Sequence, residues 1–458
     1  MMLTQRPRGA TMRGSHMLSD VRKKEATPAP TGSGNTQGAS PAGWLRLIMA
    51  SIAAGIVLTI YCLLIKAMLV KNGNSDFLTI YLSGLRLRLD EPIYWLSSGA
   101  ACGFKVEDLQ SFNMTGISAQ ELAKLVPCWH PNLNTPFMTA LLTPLTYLDF
   151  PAARLVWLSL SALAVWLSLY LLGREGLLPK LWSLDSTALL AAFWGYFPSF
   201  ITTLHGQVTF FMLPPLVLGW LSLRQGRSLV AGAWLGLAIS LKPFVGLFLL
   251  GLAAQRNWRA CTGAILICLI CFVIGGAAAG FDVYPVYRDT LNQINWQSAS
   301  WNASLGGFFS RLLGGSENIP WRDLPWLARS LTLASSALLL ALYLRANWGS
   351  RVLKSSQKAD ALVAASIPAM LLISPLGWLY YFPLLLLTVT VLGQRLGPRD
   401  GWRWWAWLGG MALSCTPSWL IKSKDMNNPL DWFGAPAMHL ISLIILFALA
   451  LAETQNDG

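Results

Sequence analysis

The stretch Trp44–Leu69, WLRLIMASIAAGIVLTIYCLLIKAML, points to a membrane-spanning architecture. It is apolar without alternation, and its charges, Arg46 and Lys66, lie near its ends. A helix of this length outreaches a hydrocarbon core of about 30 Å. A barrel strand would be shorter and would alternate, and lipid offers an open backbone no partners, so the stretch is a spanning helix. Asp76 follows seven residues after Leu69, where lipid head groups meet water.

Similar runs recur near 152–172, 186–204, 208–224, 228–241, 243–255, 258–280, 327–345, 361–379, 380–394, 404–420 and 434–452. The 458 residues are 54% hydrophobic and 12% charged, about half the charged share of a soluble domain. The chain is therefore expected to be an all-α polytopic membrane protein of about 10–12 transmembrane helices, with interfacial helices in its first outer loop.

The net charge of +13 raises the question of a nucleic-acid partner, and its distribution answers it. With a cytoplasmic N-terminus, the inner side collects 20 Lys and Arg against 8 Asp and Glu, leaving the outer side nearly neutral. Short basic connections such as Arg224–Arg227, Arg256–Arg259 and Arg395–Arg403 all fall inside. This is the positive-inside bias of a membrane protein, and no nucleic acid is needed to explain it. Residues 1–43, rich in Pro, Gly, Ser and Thr, read as a disordered cytoplasmic tail, 44–452 as the membrane domain and 453–458 as a short cytoplasmic tail. No apolar core precedes Trp44, so a retained anchor is expected rather than a cleaved signal.

Of seven cysteines, Cys62, Cys261, Cys268, Cys271 and Cys415 lie in or beside spans, where small buried packing is their plain role. Cys102 and Cys128 share the first outer loop, where a bridge is permitted but not dictated by spacing.

Three outer stretches, about 70–151, 281–326 and 421–433, are too long to be turns, and their aromatic content favours order. Phe77, Tyr81, Leu85 and Leu89 at four-residue spacing predict a helix lying on the membrane surface, with Arg86 and Arg88 on other faces. Pro136–Leu148 is too short to span and predicts a second interfacial or re-entrant helix. Lys242-Pro243 breaks 228–255; because mid-bilayer lysine is costly, two short helices turning at the outer face are expected rather than one kinked helix.

No phosphate-binding Gly-x-x-x-x-Gly-Lys and no Asp-x-Asp occur, which argues against ATP hydrolysis and metal-held nucleotide sugars. The four histidines, His16, His130, His205 and His439, show no ligand spacing, so no metal or cofactor is expected, with assistance from a divalent ion left open.

Six ordered motifs carry a resemblance. They are Asp76-Phe77-x-x-x-Tyr81-x-x-Gly84 running to Pro92-Ile93-Tyr94, Asn134-Thr135-Pro136-Phe137, Gly206-Gln207-Val208-Thr209, the glycine-rich Gly232–Lys242-Pro243, Asn302-Ala303-Ser304-Leu305 with Arg311-Leu312, and Ser374-Pro375-Leu376-Gly377-Trp378. Together, over about 300 residues, this set resembles glycosyltransferase family 87, the polyprenyl-phosphate-sugar-dependent transferases of the GT-C superfamily. The chain departs from that pattern at Thr209, where Asn is usual, and at Tyr380-Tyr381, where histidines are known.

The resemblance implies a GT-C-like bundle. It also implies inverting transfer of a hexose, commonly mannose, from a polyprenyl-phosphate donor to a glycolipid or glycan acceptor at the outer face of a bacterial plasma membrane. The residues independently converge there, since all six motifs fall at outer helix ends. Asp76 is the expected general base, because inverting attack by a hydroxyl needs one carboxylate and phosphate leaves without a second acid. Its alternative use is as a helix N-cap. Lys242 and Arg311 are candidates for the donor phosphate, with snorkelling and a loop ion pair as their structural alternatives. His205 is a further phosphate or sugar contact. Gln207, Asn302, Tyr81, Asn134 and Trp378 are expected sugar or acceptor contacts, with loop capping the alternative for Gln207 and Asn302. The competing function is a lipid-linked sugar flippase or polysaccharide transporter, whose internal repeats and mid-span charges this chain lacks.

Overall fold

The computed structural model describes residues 41–70, 76–94, 131–180, 183–315, 319–417 and 435–456. The tail before residue 41, the Cys102–Cys128 pairing and His130 lie outside them. Among the described residues the architecture is all-helical, and one isolated antiparallel bridge joins Asn302 to Trp378.

Helix α1 covers Pro41–Val70, α2 Asp76–Arg88 and α3 Pro136–Leu142, continued by a 3-10 turn over Thr143–Tyr147. The long α4, Phe150–Arg174, is followed by α5, Leu184–Gly195, and α6, Phe197–His205. Then come α7, Thr209–Arg224, α8, Ser228–Leu241, a 3-10 turn Pro243–Gly246, α9, Leu247–Ala254, and α10, Trp258–Ala279. The second outer stretch holds α11, Val283–Asn292, and α12, Leu305–Leu313. The remainder is α13, Pro325–Ser350, α14, Ser355–Ile373, a 3-10 turn Leu379–Leu384, α15, Leu385–Arg395, α16, Trp402–Ser414, and α17, Ala435–Asn456.

α4, α10 and α13 are each long and apolar enough to cross a membrane. Shorter apolar helical segments accompany them, among them Thr209–Arg224, Ser228–Leu241 and Ala437–Glu453. α10 carries an apolar exposed stripe: Ile265, Leu266, Leu269, Ile270, Val273 and Ile274 are exposed although apolar. Exposed apolar surface on that scale marks contact with hydrocarbon. The chain is a polytopic membrane protein.

The expected single span over 186–204 is instead bent by 60° between α5 and α6. Tyr196 at the break is extended, and Pro198 sits in the first turn of α6, where its missing N–H costs nothing. The span ending near residue 379 also stops early: α14 ends at Ile373, and Ser374–Trp378 folds back as irregular chain.

Lys242-Pro243 behaves as a reversal. Gly232 packs against Ala260 and Gly236 against Ala264, so positions rise together and α8 runs parallel to α10. Small residues permit that close approach. Since α10 starts only a few residues after α9 ends, α9 must run back between them. A single kinked helix would have made α10 antiparallel to α8.

α2 forms as expected but does not lie on a surface. Phe77 through Arg86 are all buried. Leu78, Ile80 and Leu82 add apolar faces beyond the Phe77-Tyr81-Leu85 stripe, and a helix apolar all round belongs inside a protein. Gly84 lets it close on Thr143 and Thr146, where a Cβ would come within 3.1 Å of Thr146 Cγ2.

Candidate active site

A cavity of about 550 Å³ opens where α2, the α6–α7 turn, the Lys242 reversal, the segment before α12 and the Ser374–Tyr381 segment converge. Of the expected site residues, Asp76, Asn134, His205, Gln207, Lys242 and Trp378 line it.

Asp76 opens α2, where the helix N-terminus favours its negative charge. Its Oδ2 accepts a short hydrogen bond from Gln207 Nε2. Gly206 makes that meeting possible. It closes α6 in the left-handed conformation, with φ 62°, and a Cβ there would fall 2.7 Å from Phe77 Cβ. Its carbonyl accepts Trp157 Nε1 at 2.9 Å, while Trp157 and Phe150 stack on Phe77 at 5.3 and 5.7 Å between ring centroids. The start of α2 is thereby packed against the turn that carries Gln207.

Lys242 is buried, and Nζ donates to Leu133 O at 3.3 Å. Burial pushes its ammonium down from the ordinary 10.5 to about 8, and the Asp76 carboxylate opposes that shift. A carboxylate and an ammonium thus face one cavity from separate elements. Asn134, whose Nδ2 donates to Asn132 Oδ1 at 3.0 Å, completes this polar side.

The cavity also has an aromatic lining, His205, Trp301, Trp378 and Tyr380. His205 stands edge-on to Trp301 at 5.4 Å, and Trp378 and Tyr380 lie 5.8 Å apart. Planar rings together with hydrogen-bonding groups in one cavity suit a sugar, which has an apolar C–H face and polar hydroxyl edges.

Three expected contacts are not at the cavity. Tyr81 donates its hydroxyl to Leu148 O at 2.8 Å, and so ties α2 to the turn ahead of α4. Asn302 is fully buried: Nδ2 donates to Gln297 O and Pro375 O, and Oδ1 accepts from Ser304 N and Gly377 N. With all four positions occupied, it pins two segments 75 positions apart rather than reaching a substrate. Arg311 Nη1 donates to Ala299 O and Asn302 O, at 3.0 and 2.7 Å, and braces the same wall from behind. Their motif positions mark the cavity's frame.

Other lining residues are not among the candidate site residues named from the motifs. Thr79, Phe244, Tyr287, Trp296 and Trp301 reach the cavity through packing. Among the described residues, no group of three or more His, Cys, Asp or Glu is placed to hold a metal ion.

The sequence pattern of glycosyltransferase family 87 matches residues 132–375. An alpha-(1->3)-arabinofuranosyltransferase of Mycobacterium tuberculosis is 26% identical over 347 residues, 71% of this chain and 75% of that protein, in two strains. A polyprenol-phosphate-mannose-dependent alpha-(1-2)-phosphatidylinositol mannoside mannosyltransferase of the same species is 23% identical over 290 residues, 60% of this chain and 63% of that protein. No solved structure matches the chain.

Proposed function

From a chain that belongs to glycosyltransferase family 87, and is therefore a membrane glycosyltransferase, we propose transfer of a hexose, mannose, from a polyprenyl-phosphate donor to a glycolipid or glycan hydroxyl. In this reading the cavity opens on the outer side of a bacterial plasma membrane, because the short basic connections such as Arg224–Arg227 and Arg256–Arg259 belong on the cytoplasmic side. The observation that carries this reading is the convergence of Asp76, Gln207 and Lys242 on one cavity from three separate stretches of chain.

In this reaction the acceptor oxygen attacks the anomeric carbon from the face opposite the phosphate. As the new C–O bond forms, the bond to the phosphate oxygen breaks, and polyprenyl phosphate departs with the electron pair. Asp76 takes the hydroxyl proton, with Gln207 holding the carboxylate in one orientation. Lys242 offsets the charge that develops on the departing phosphate. No second carboxylic acid is required, because phosphate leaves readily.

A second reading differs only in the sugar. The longer match is to an arabinofuranosyltransferase, which supports a pentofuranose as the alternative sugar. The test offers purified protein polyprenyl-phosphate-mannose and polyprenyl-phosphate-arabinofuranose in parallel, each with a panel of glycolipid acceptors. Covalent mannosylation supports the first reading and arabinosylation the second. Movement of intact donor across a vesicle membrane without product overturns both in favour of a flippase.

A further inference from the structure

Tyr380 holds its place in the aromatic wall through its backbone. It lies in the 3-10 turn Leu379–Leu384, where a carbonyl is normally satisfied by the N–H three residues on. For Tyr380 that residue is Pro383, which has no N–H. Two hydroxyls from elsewhere take the carbonyl instead: Thr202 Oγ1 and Thr209 Oγ1, each at 2.8 Å. Thr202 also lies 2.6 Å from Pro198 O, so its single proton is divided between two acceptors. Thr209 has Tyr380 O alone. It is completely buried at the first position of α7, two residues beyond Gln207.

We propose that Thr209 is a positioning residue for the acceptor sugar. One short rigid path runs from Asp76 through the Gln207 amide, two residues of backbone and the Thr209 hydroxyl to the Tyr380 carbonyl. That path fixes the gap between the proton-accepting carboxylate and the ring wall of Trp301, Trp378 and Tyr380. The sugar that stacks on those rings presents its hydroxyl to Asp76 only at the right gap, and near-attack geometry is sensitive to displacements on the order of 1 Å. The inference rests on the glycosyl-transfer reading above.

Thr209→Val keeps the shape of the side chain and removes only the hydroxyl. With donor saturating and acceptor varied, the Val variant should raise the acceptor KM at least about fivefold and leave the donor KM within about twofold. Transfer should also fall relative to hydrolysis of the donor by water. Thr209→Ser should restore the acceptor KM to within about twofold of the parent. The proposal is overturned if the Val variant leaves both the acceptor KM and the transfer-to-hydrolysis ratio unchanged. It is equally overturned if only the apparent kcat falls, in step with the folded fraction, or if Ser behaves as Val does. A parent protein that transfers no sugar overturns the functional reading itself; an active parent with an indifferent Val variant overturns only the role of Thr209.

Discussion

Gln207 donates a hydrogen bond to Asp76 across 131 positions of chain. Neither residue is held by its own element alone. Asp76 is fixed by the packing of Phe77 on Trp157 and Phe150, and Gln207 by the left-handed turn at Gly206 that the same Phe77 touches. A base that must accept a proton along one direction benefits from having its second oxygen held.

Replacing Gln207 by Leu keeps the bulk and frees the carboxylate. A hydrogen bond to a charged group contributes about 1.5–3 kcal/mol, so we expect kcat to fall roughly tenfold to a hundredfold with little change in the donor KM. Steady-state kinetics with the donor varied check this, and a donor KM effect alone would assign Gln207 to sugar binding instead.

Gly206→Ala should destabilise the protein without touching a charged group. A side chain at φ 62° costs about 1–2 kcal/mol, and the Cβ would collide with Phe77. The thermal unfolding midpoint in detergent should drop by several degrees. An unchanged midpoint would mean that the α6–α7 turn relaxes freely.

Lys242 gives the site a pH dependence. A phosphodiester donor keeps its charge at neutral and alkaline pH, so any titration of its binding there comes from the protein. Because burial lowers the ammonium to about 8, donor affinity should be steady near pH 6–7 and weaken as pH rises through 8. Lys242→Arg should move that decline beyond pH 10, since guanidinium does not titrate there. Donor binding measured by titration at a series of pH values checks both.

Asn302 distinguishes a strut from a sugar contact. Removing its amide leaves Gln297 O, Pro375 O, Ser304 N and Gly377 N without their partner. Asn302→Ala should therefore cost about 2–4 kcal/mol of stability, since each net hydrogen bond contributes about 1 kcal/mol. Thermal unfolding measures this, and an activity loss with an unchanged midpoint would return Asn302 to the substrate.

These cases also mark how far the sequence could be read. Spans, their alternation and the clustering of motifs at one end follow from apolar runs and charge placement, and α1, α4, α10 and α13 appear where those runs lie. Lys242-Pro243 was legible as a reversal because lysine resists mid-bilayer burial. The bend at Tyr196 and the burial of α2 were not legible, because both depend on neighbours that arrive from distant segments. The same holds for Asn302, Arg311 and Tyr81. A polar residue in a motif reads alike whether it meets a ligand or a backbone carbonyl 75 positions away. Thr209 was visible only as a departure, and its bond to Tyr380 needed the fold.

The most direct measurement incubates purified protein and its Asp76→Asn variant with radiolabelled polyprenyl-phosphate-mannose and a glycolipid acceptor, with donor binding followed in parallel. A positioned base contributes about a hundredfold to ten-thousandfold, so the variant should bind donor normally and form product at least a hundredfold more slowly. Product formation by the variant within a few-fold of the parent rate would contradict the assignment of Asp76 as the base.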